Sequence, residues 1–195
     1  MTQQGVSGSG KTTLAKGLAE ALSLPFIDAD DKHSEANKDK MRRGESLTDA
    51  DRGPWLVSVR RAAVEAIAGT TQGPMGPISG VVVACSALKA SYRDVLRGKE
   101  RTDLEEERVD RVLPPQRRPP RTVFVHPIGP QSVLWERMTN RKGHFMKANM
   151  LRSQLDALES PTKTGEEGIV EIELEASEEE QVRAALKGLR TVGAI

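Results

Sequence analysis

Near its start the chain reads Gly5-Val6-Ser7-Gly8-Ser9-Gly10-Lys11-Thr12, which matches the pattern G-x-x-x-x-G-K-[ST]. Small residues let successive backbone N–H groups turn inward around a phosphate, where a Cβ would crowd the approach. A chance glycine-serine turn could produce an isolated match. Here the motif opens an amphipathic helix, because leucines recur every four residues from Leu14 to Leu22. The positive N-terminal end of that helix would lie at the same phosphate, so the sequence predicts a nucleotide site.

The loop assigns a role to each of its polar side chains. Lys11 would reach the β- and γ-phosphates, and the Thr12 hydroxyl would bind Mg²⁺. The residues expected to bind ATP are Gly5, Val6, Ser7, Gly8, Ser9, Gly10, Lys11, Thr12 and Thr13. The loop alone leaves three classes open, namely small-molecule kinases, GTPases and motor ATPases.

A phosphate loop of this kind should follow a buried central strand, but only residues 1–4 precede Gly5, and they are largely polar. We therefore expect the first strand to be truncated or improvised, or the chain start to be wrongly placed. Any of these would weaken the stability and the activity of this chain.

The rest of the chain alternates short apolar runs with helical patterns, which predicts an α/β fold. We expect one domain whose parallel sheet carries helices on both faces, making three layers. The predicted strands cover residues 24–27, 81–85, 122–128 and 169–174. The predicted helices cover residues 34–43, 55–68, 91–97, 131–141 and 150–159, and a further helix follows Ser177. Residues 98–121 hold many charges and paired prolines, so we expect an exposed, partly disordered insertion there.

The overall composition excludes several function classes. Lys and Arg total 29 against 28 for Asp and Glu, which gives a net charge of +1 and argues against nucleic-acid binding. No apolar run approaches the roughly 20 residues that a membrane span needs. The single cysteine excludes a disulfide framework and fits a reducing compartment. We therefore expect a cytoplasmic protein.

Carboxylates follow the first predicted strand after the loop, at Asp28, Asp30 and Asp31. Open α/β sheets bind ligands at the carboxyl ends of their strands. One of these carboxylates could hold a Mg²⁺-bound water, while another accepts the proton of an attacking hydroxyl. The alternative is a solvated acidic turn, which the neighbouring phosphate loop makes less attractive.

A second cluster is basic and contains Arg137, Arg141, Lys142 and His144. Arginines that close over ATP would stabilise charge on the transferred phosphoryl group. An ordinary basic helix face is the alternative. No aspartate ends the strand at residues 81–85, which disfavours GTPases and motor ATPases.

Several longer segments resemble one family closely. GVSGSGKT, FIDADDKH, KMRRGESLTDADRGPWL, VVACSALKASYRDVLR and RKGHFMKANMLRSQLDALESP together look like gluconokinase and run in its order from Gly5 to Pro161. The resemblance implies ATP-dependent phosphorylation of D-gluconate at its 6-hydroxyl, giving 6-phospho-D-gluconate. It also implies a P-loop NTPase fold like that of nucleoside-monophosphate kinases, with a lid over residues 137–150, and commonly a homodimer.

The resemblance further implies a division of roles among site residues. Lys11, Asp28, Asp30, Arg137 and Arg141 would be catalytic, and Thr12 with Asp28 would bind the metal. It does not settle which aspartate is the base. The residues matched to the sugar acid are Asp30, His33, Arg52, Lys89, Arg93 and His144. Taken alone, His33 could equally be a surface residue.

Three other functions stay open at this point. A kinase for another small hydroxy acid, such as shikimate, would share the phosphate loop. A truncated, non-catalytic nucleotide-binding protein would fit the missing first strand. A nucleic-acid-dependent ATPase is opposed by the charge balance and by the scarcity of aromatic residues for base stacking.

Overall fold

The computed structural model describes residues 2–3, 8–69, 80–99, 120–140, 148–162 and 165–195. Its strands are β1 (Thr2–Gln3), β2 (Phe26–Asp28), β3 (Val82–Ala84), β4 (Phe124–Ile128) and β5 (Ile169–Glu173). They form one parallel sheet in the order β2-β3-β1-β4-β5. The helices described are α1 (Lys11–Leu22), α2 (Glu35–Arg42), α3 (Asp49–Gly69), α4 (Ala90–Arg97), α5 (Gln131–Asn140), α6 (Ala148–Ala157) and α7 (Glu178–Thr191). Within these ranges, no helix combines the length and apolar character that crossing a membrane requires.

The sheet separates two apolar cores, because successive residues of a strand point to opposite faces. Val83 of β3 and Phe124 of β4 pack on one face with α3, α4 and α6. Val82 and Val125, their chain neighbours, pack on the other face with α1 and α7. The predicted three-layer α/β arrangement is therefore confirmed.

The central position of the sheet belongs to β1. Thr2 pairs with Val83 on one side and with Phe124 on the other, and Gln3 pairs with the next residue of each strand. The expected truncation of the first strand is not confirmed, because this short segment fills the place between β3 and β4. Parallel strands pair through backbone N–H and C=O groups, so a dipeptide with polar side chains can join the sheet. Strands are usually predicted from a run of apolar residues, and this segment has none.

The start of α3 differs from the predicted start at Trp55. The Thr48 hydroxyl accepts a hydrogen bond from Asp51 N (3.2 Å), and the Asp51 carboxylate accepts one from Thr48 N (2.9 Å). The Thr48–Asp51 pair has the capping-box pattern in the sequence, and this cap is confirmed. It fixes the helix start just after Thr48, so only the predicted first residue was wrong, by almost two turns. Pro54 consequently lies inside the helix.

Two predicted regions fall largely outside the described residues. The insertion expected at 98–121 is described only at 98–99 and 120–121, and the lid expected at 137–150 is not described at 141–147. Both stay predictions.

Candidate active site

The described end of the phosphate loop has the backbone that the sequence requires. Gly8 has a φ of 83° and Gly10 a φ of 78°, both in the left-handed region that residues with a Cβ rarely adopt. Gly10 also caps α1, since its carbonyl accepts from Leu14 N (3.0 Å). Gly5, Val6 and Ser7 lie outside the described residues. The loop therefore enters α1 as a phosphate cradle should.

Two side chains beside this turn fit an anionic ligand. Ser9 is only 3% exposed, and its Oγ has no hydrogen-bond partner among the described residues. A buried, unsatisfied hydroxyl costs about 1–3 kcal/mol, which a phosphate oxygen would recover. Arg137 also lies close to this turn, because a Cβ added to Gly10 would stand 3.9 Å from its Nη1. Its Nη2 donates to the Leu174 carbonyl (2.8 Å), which anchors the guanidinium next to the loop.

The predicted metal pair is brought together at the end of β2. Thr12 Oγ1 donates to Asp28 Oδ2 at 3.4 Å, and Asp28 Oδ1 accepts from Asp30 N at 3.1 Å. A hydroxyl and a carboxylate are hard oxygen donors, the kind that Mg²⁺ binds while keeping waters and substrate phosphates as its other ligands. No group of three or more His, Cys, Asp or Glu side chains suited to a metal occurs in the described ranges. The donor set thus fits a metal that arrives with a nucleotide.

A polar cleft opens beside Lys11. Four predicted site residues line it, namely Lys11, Asp30, His33 and Arg52. The remaining lining residues are Met41, Ser46, Leu47, Ser86, Ser153 and Gln154. A single cleft therefore joins the end of the phosphate loop to a wall of neutral hydrogen-bonding groups.

His33 is held rigidly in the wall of this cleft. Its ring stacks on Trp55 with 4.3 Å between centroids and a 10° interplanar angle. The Asn37 side-chain amide lies 3.5 Å from His33 Nδ1 and also donates to the Asp51 carbonyl (2.9 Å). Burial, with Arg52 and Lys38 nearby, lowers the His33 pKa to about 4. The imidazole is therefore neutral at pH 7, and an Asn37 N–H donated to Nδ1 assigns its proton to Nε2.

Arg52 supplies positive charge without a carboxylate partner among the described residues. Its Nε donates to the Leu47 carbonyl at 3.5 Å, and its guanidinium lies 5.9 Å from the centre of the Tyr92 ring. Buried and half-buried arginines are usually paired, and an arginine fork matches a carboxylate. The guanidinium of Arg52 is thus a group that can pair with the carboxylate of an acidic ligand.

The remaining sequence-based candidates are not among the described residues that line the cleft. Lys89 Nζ pairs with Asp49 (2.7 and 2.8 Å), a carboxylate that also accepts from the Tyr92 hydroxyl. Arg93 is fully buried and donates to Glu166. Neither side chain belongs to the described lining of the cleft. Thr13 is exposed on α1, and Arg141 and His144 fall outside the described residues.

Several lining residues carried no assigned role in the sequence. Ser86 follows the carboxyl end of β3, so the rule that ligands bind at strand ends was the signal for it. Ser46 and Ser153 share a hydrogen bond of 2.9 Å between hydroxyls 107 positions apart in the chain. A local sequence pattern cannot predict a contact between two residues that are so far apart in the chain.

The strand order, the loop leading into α1 and the cleft at the strand ends define a P-loop kinase of a small polar molecule. Residues 7–50 match the family model of shikimate kinase. Over 187 residues the chain is 37% identical to a probable gluconokinase of Mus musculus, which covers 95% of each protein. It is 35% identical over 189 residues to a thermosensitive gluconokinase of Escherichia coli, covering 95% of this chain and 86% of that protein.

The comparison with solved structures indicates the same family. A gluconokinase from Sinorhizobium meliloti 1021 matches with a TM-score of 0.74 and 38% identity, over 98% of this chain and 91% of that one. A shikimate kinase from Aquifex aeolicus matches with a TM-score of 0.55 and 17% identity, over 98% and 96%, and so shares the fold alone. The chain belongs to the gluconokinase family.

Proposed function

We propose that this protein transfers the terminal phosphoryl group of ATP to the 6-hydroxyl of D-gluconate. Besides family membership, one structural observation supports the proposal. Arg52 and a neutral His33 line the same cleft as Lys11. A sugar acid needs one cation for its carboxylate and neutral groups for its hydroxyls, with its far end at the phosphate loop.

In this mechanism Asp28 and Asp30 have different roles. Both oxygens of Asp28 already accept hydrogen bonds, from Thr12 and from Asp30 N, so Asp28 with Thr12 would hold Mg²⁺. Asp30 is exposed and lines the cleft. It is therefore the better placed of the two to accept the proton of the attacking hydroxyl.

The chain contributes position and charge to an in-line transfer. Asp30 takes the proton from the 6-hydroxyl as the hydroxyl oxygen bonds to the γ-phosphorus. The bond from the γ-phosphorus to the β–γ bridging oxygen breaks in the same transfer, and ADP leaves. Lys11 and Arg137 stabilise the negative charge that spreads over the transferred group. When bound, Mg²⁺ neutralises charge on the β- and γ-phosphates. Arg52 and His33 hold the acid end so that the hydroxyl meets the phosphorus within reach.

Lys11→Ala tests this mechanism against Lys16→Ala, an exposed lysine on the same helix. We expect Lys11→Ala to abolish gluconate-dependent ADP release while its thermal unfolding stays close to that of the parent protein. The Lys16 variant should keep its turnover. Near-parental turnover in folded Lys11→Ala protein would refute the mechanism.

A substrate panel separates gluconate from other hydroxy acids. ADP release should be strongest with D-gluconate and far weaker with shikimate or with glucose, which lacks the carboxylate. Arg52→Gln should raise the KM for gluconate more than the KM for ATP. If the parent protein binds ATP by calorimetry but phosphorylates none of these compounds, the non-catalytic nucleotide-binding alternative is the correct one.

The family also suggests features beyond the cleft. We propose ATP with Mg²⁺ as the phosphoryl donor, a homodimer as the assembled form and the cytoplasm as the location. Mass measurement in solution and a titration of activity with Mg²⁺ test the first two directly.

A further inference from the structure

A buried ion pair lies behind the part of the cleft that carries Ser86. Arg93 on α4 is 0% exposed, and its Nε donates to both carboxylate oxygens of Glu166 (2.8 and 3.0 Å) while its Nη2 donates to Glu166 as well. Arg97 Nη1 donates to the same carboxylate at 2.7 Å. Charges are rarely buried so completely, and neither residue of the pair is among the residues that line the cleft.

The free side of the Arg93 fork holds the backbone that follows β3. Its Nη1 donates to the Ala87 carbonyl (3.0 Å) and to the Leu88 carbonyl (3.2 Å). Ala87 has a φ of 34°, a left-handed conformation that an alanine adopts only where its surroundings impose it. The residue before it is Ser86, which lines the cleft. Arg93 therefore fixes a strained backbone next to a cleft side chain.

The same junction also anchors the helix that supplies two other cleft residues. The Leu88 carbonyl accepts a second hydrogen bond from Glu159 N (2.9 Å), and the Glu159 carboxylate accepts from Ala90 N (2.6 Å). Glu159 follows α6, the helix that carries Ser153 and Gln154 into the cleft. The backbone that follows Ser86 and the end of α6 are thus both tied to the Leu88 carbonyl.

Stability alone is a poor explanation for this arrangement. A buried ion pair repays its desolvation only partly, and apolar residues of similar volume are often as stable in its place. What the guanidinium adds is geometry, because its planar fork binds a carboxylate on one edge and two carbonyls on another. A lysine has a single donor centre and could not hold both partners in this way.

We propose that Arg93, oriented by Glu166, is a positioning residue for the phosphoryl transfer and not a substrate ligand. It sets the backbone at residues 86–88, and through the Leu88 carbonyl it sets the approach of α6. The kinetic part of the test rests on the proposed function, whereas the structural part does not.

The variants to compare are Arg93→Met and Glu166→Gln, with Arg97→Met as the matched control. Arg97→Met removes a half-buried cation from the same carboxylate but leaves the contacts of Arg93 with Ala87 and Leu88. We expect the first two variants to raise the KM for gluconate and lower kcat, by about 10-fold or more in kcat/KM. The KM for ATP should change little, and Arg97→Met should resemble the parent protein in both constants.

Amide hydrogen exchange at residues 86–88 supplies the readout that needs no substrate. Exchange there should be faster in Arg93→Met and Glu166→Gln than in Arg97→Met, at a temperature where all three remain folded. If Arg93→Met does not fold, Glu166→Gln, which is isosteric and neutral, decides the result. A parent protein without gluconate turnover would refute the proposed function, and the exchange comparison would then decide the positioning role by itself. Lower melting temperatures with unchanged exchange at 86–88 and an unchanged KM for gluconate would overturn the inference.

Discussion

His33 should make the stability of this protein sensitive to mild acid. The side chain is 6% exposed, its ring stacks on Trp55, and its pKa is lowered to about 4 by burial and by the charges of Arg52 and Lys38. In the unfolded chain a histidine titrates near 6.5. At a pH between these two pKa values, His33 is protonated in the unfolded chain but not in the folded protein. A fall in pH therefore favours unfolding.

The size of the effect follows from the two pKa values. Stability linked to His33 is fully present above pH 6.5 and is lost progressively as the pH falls towards 4. The loss is on the order of 2 kcal/mol between pH 7 and pH 5, and about 3 kcal/mol by pH 4. Small domains are stable by only about 5–15 kcal/mol, so the change is large enough to measure.

The assay is urea unfolding at pH 7, 6, 5 and 4.5 for the parent protein and for His33→Gln. Glutamine retains a hydrogen-bonding side chain but does not titrate, and the carboxylates contribute equally to both proteins. As the pH falls, the unfolding free energy of the parent protein should therefore decrease more than that of His33→Gln. Parallel pH profiles for the two proteins would refute the low pKa and the neutral imidazole with it.

Two further predictions concern the backbone and the thiol near the loop. Gly10→Ala should destabilise the protein by about 1–2 kcal/mol in chemical unfolding, because Gly10 has a φ of 78°. Gly53→Ala, a helix-interior glycine with nothing near its added Cβ, should be neutral or stabilising, and equal stability of the two variants would contradict the conformational argument. Cys85 is buried with a pKa raised to about 12, so a thiol reagent should label it only in denaturant, and labelling of the folded protein at the rate of a free thiol would contradict its burial.

The parts of the fold that the sequence predicted are those with local causes. The repeat of Leu14 and Leu18 along α1 reflects the period of a helix, and the continuous apolar run of β3 reflects a strand with an apolar core on each face. The glycines of the phosphate loop announce left-handed backbone in the same direct way. The strand β1 was not predicted, because its position depends on pairing with the two strands that flank it and not on its own polar residues.

The candidate site was predictable where a motif or a strand end marks a residue. Thr12 and Asp28 follow that rule, and the structure brings their side chains within 3.4 Å. The position of Arg93 could not be foreseen, because a sequence shows a cation but not the carbonyls and the carboxylate that will surround it. Its assignment to the substrate stays a prediction, and the positioning role proposed above competes with it.

The distribution of charge along the cleft bears on how binding energy is used. A protonated His33 would add a second positive charge near Arg52 and tighten the hold on the acid end of the substrate. That end does not change during the transfer, so the extra attraction would favour substrate and transition state alike and would not accelerate the step. Keeping the imidazole neutral leaves one guanidinium to recognise the carboxylate. The cations at the phosphate loop, Lys11 and Arg137, then act where negative charge grows as the phosphoryl group moves.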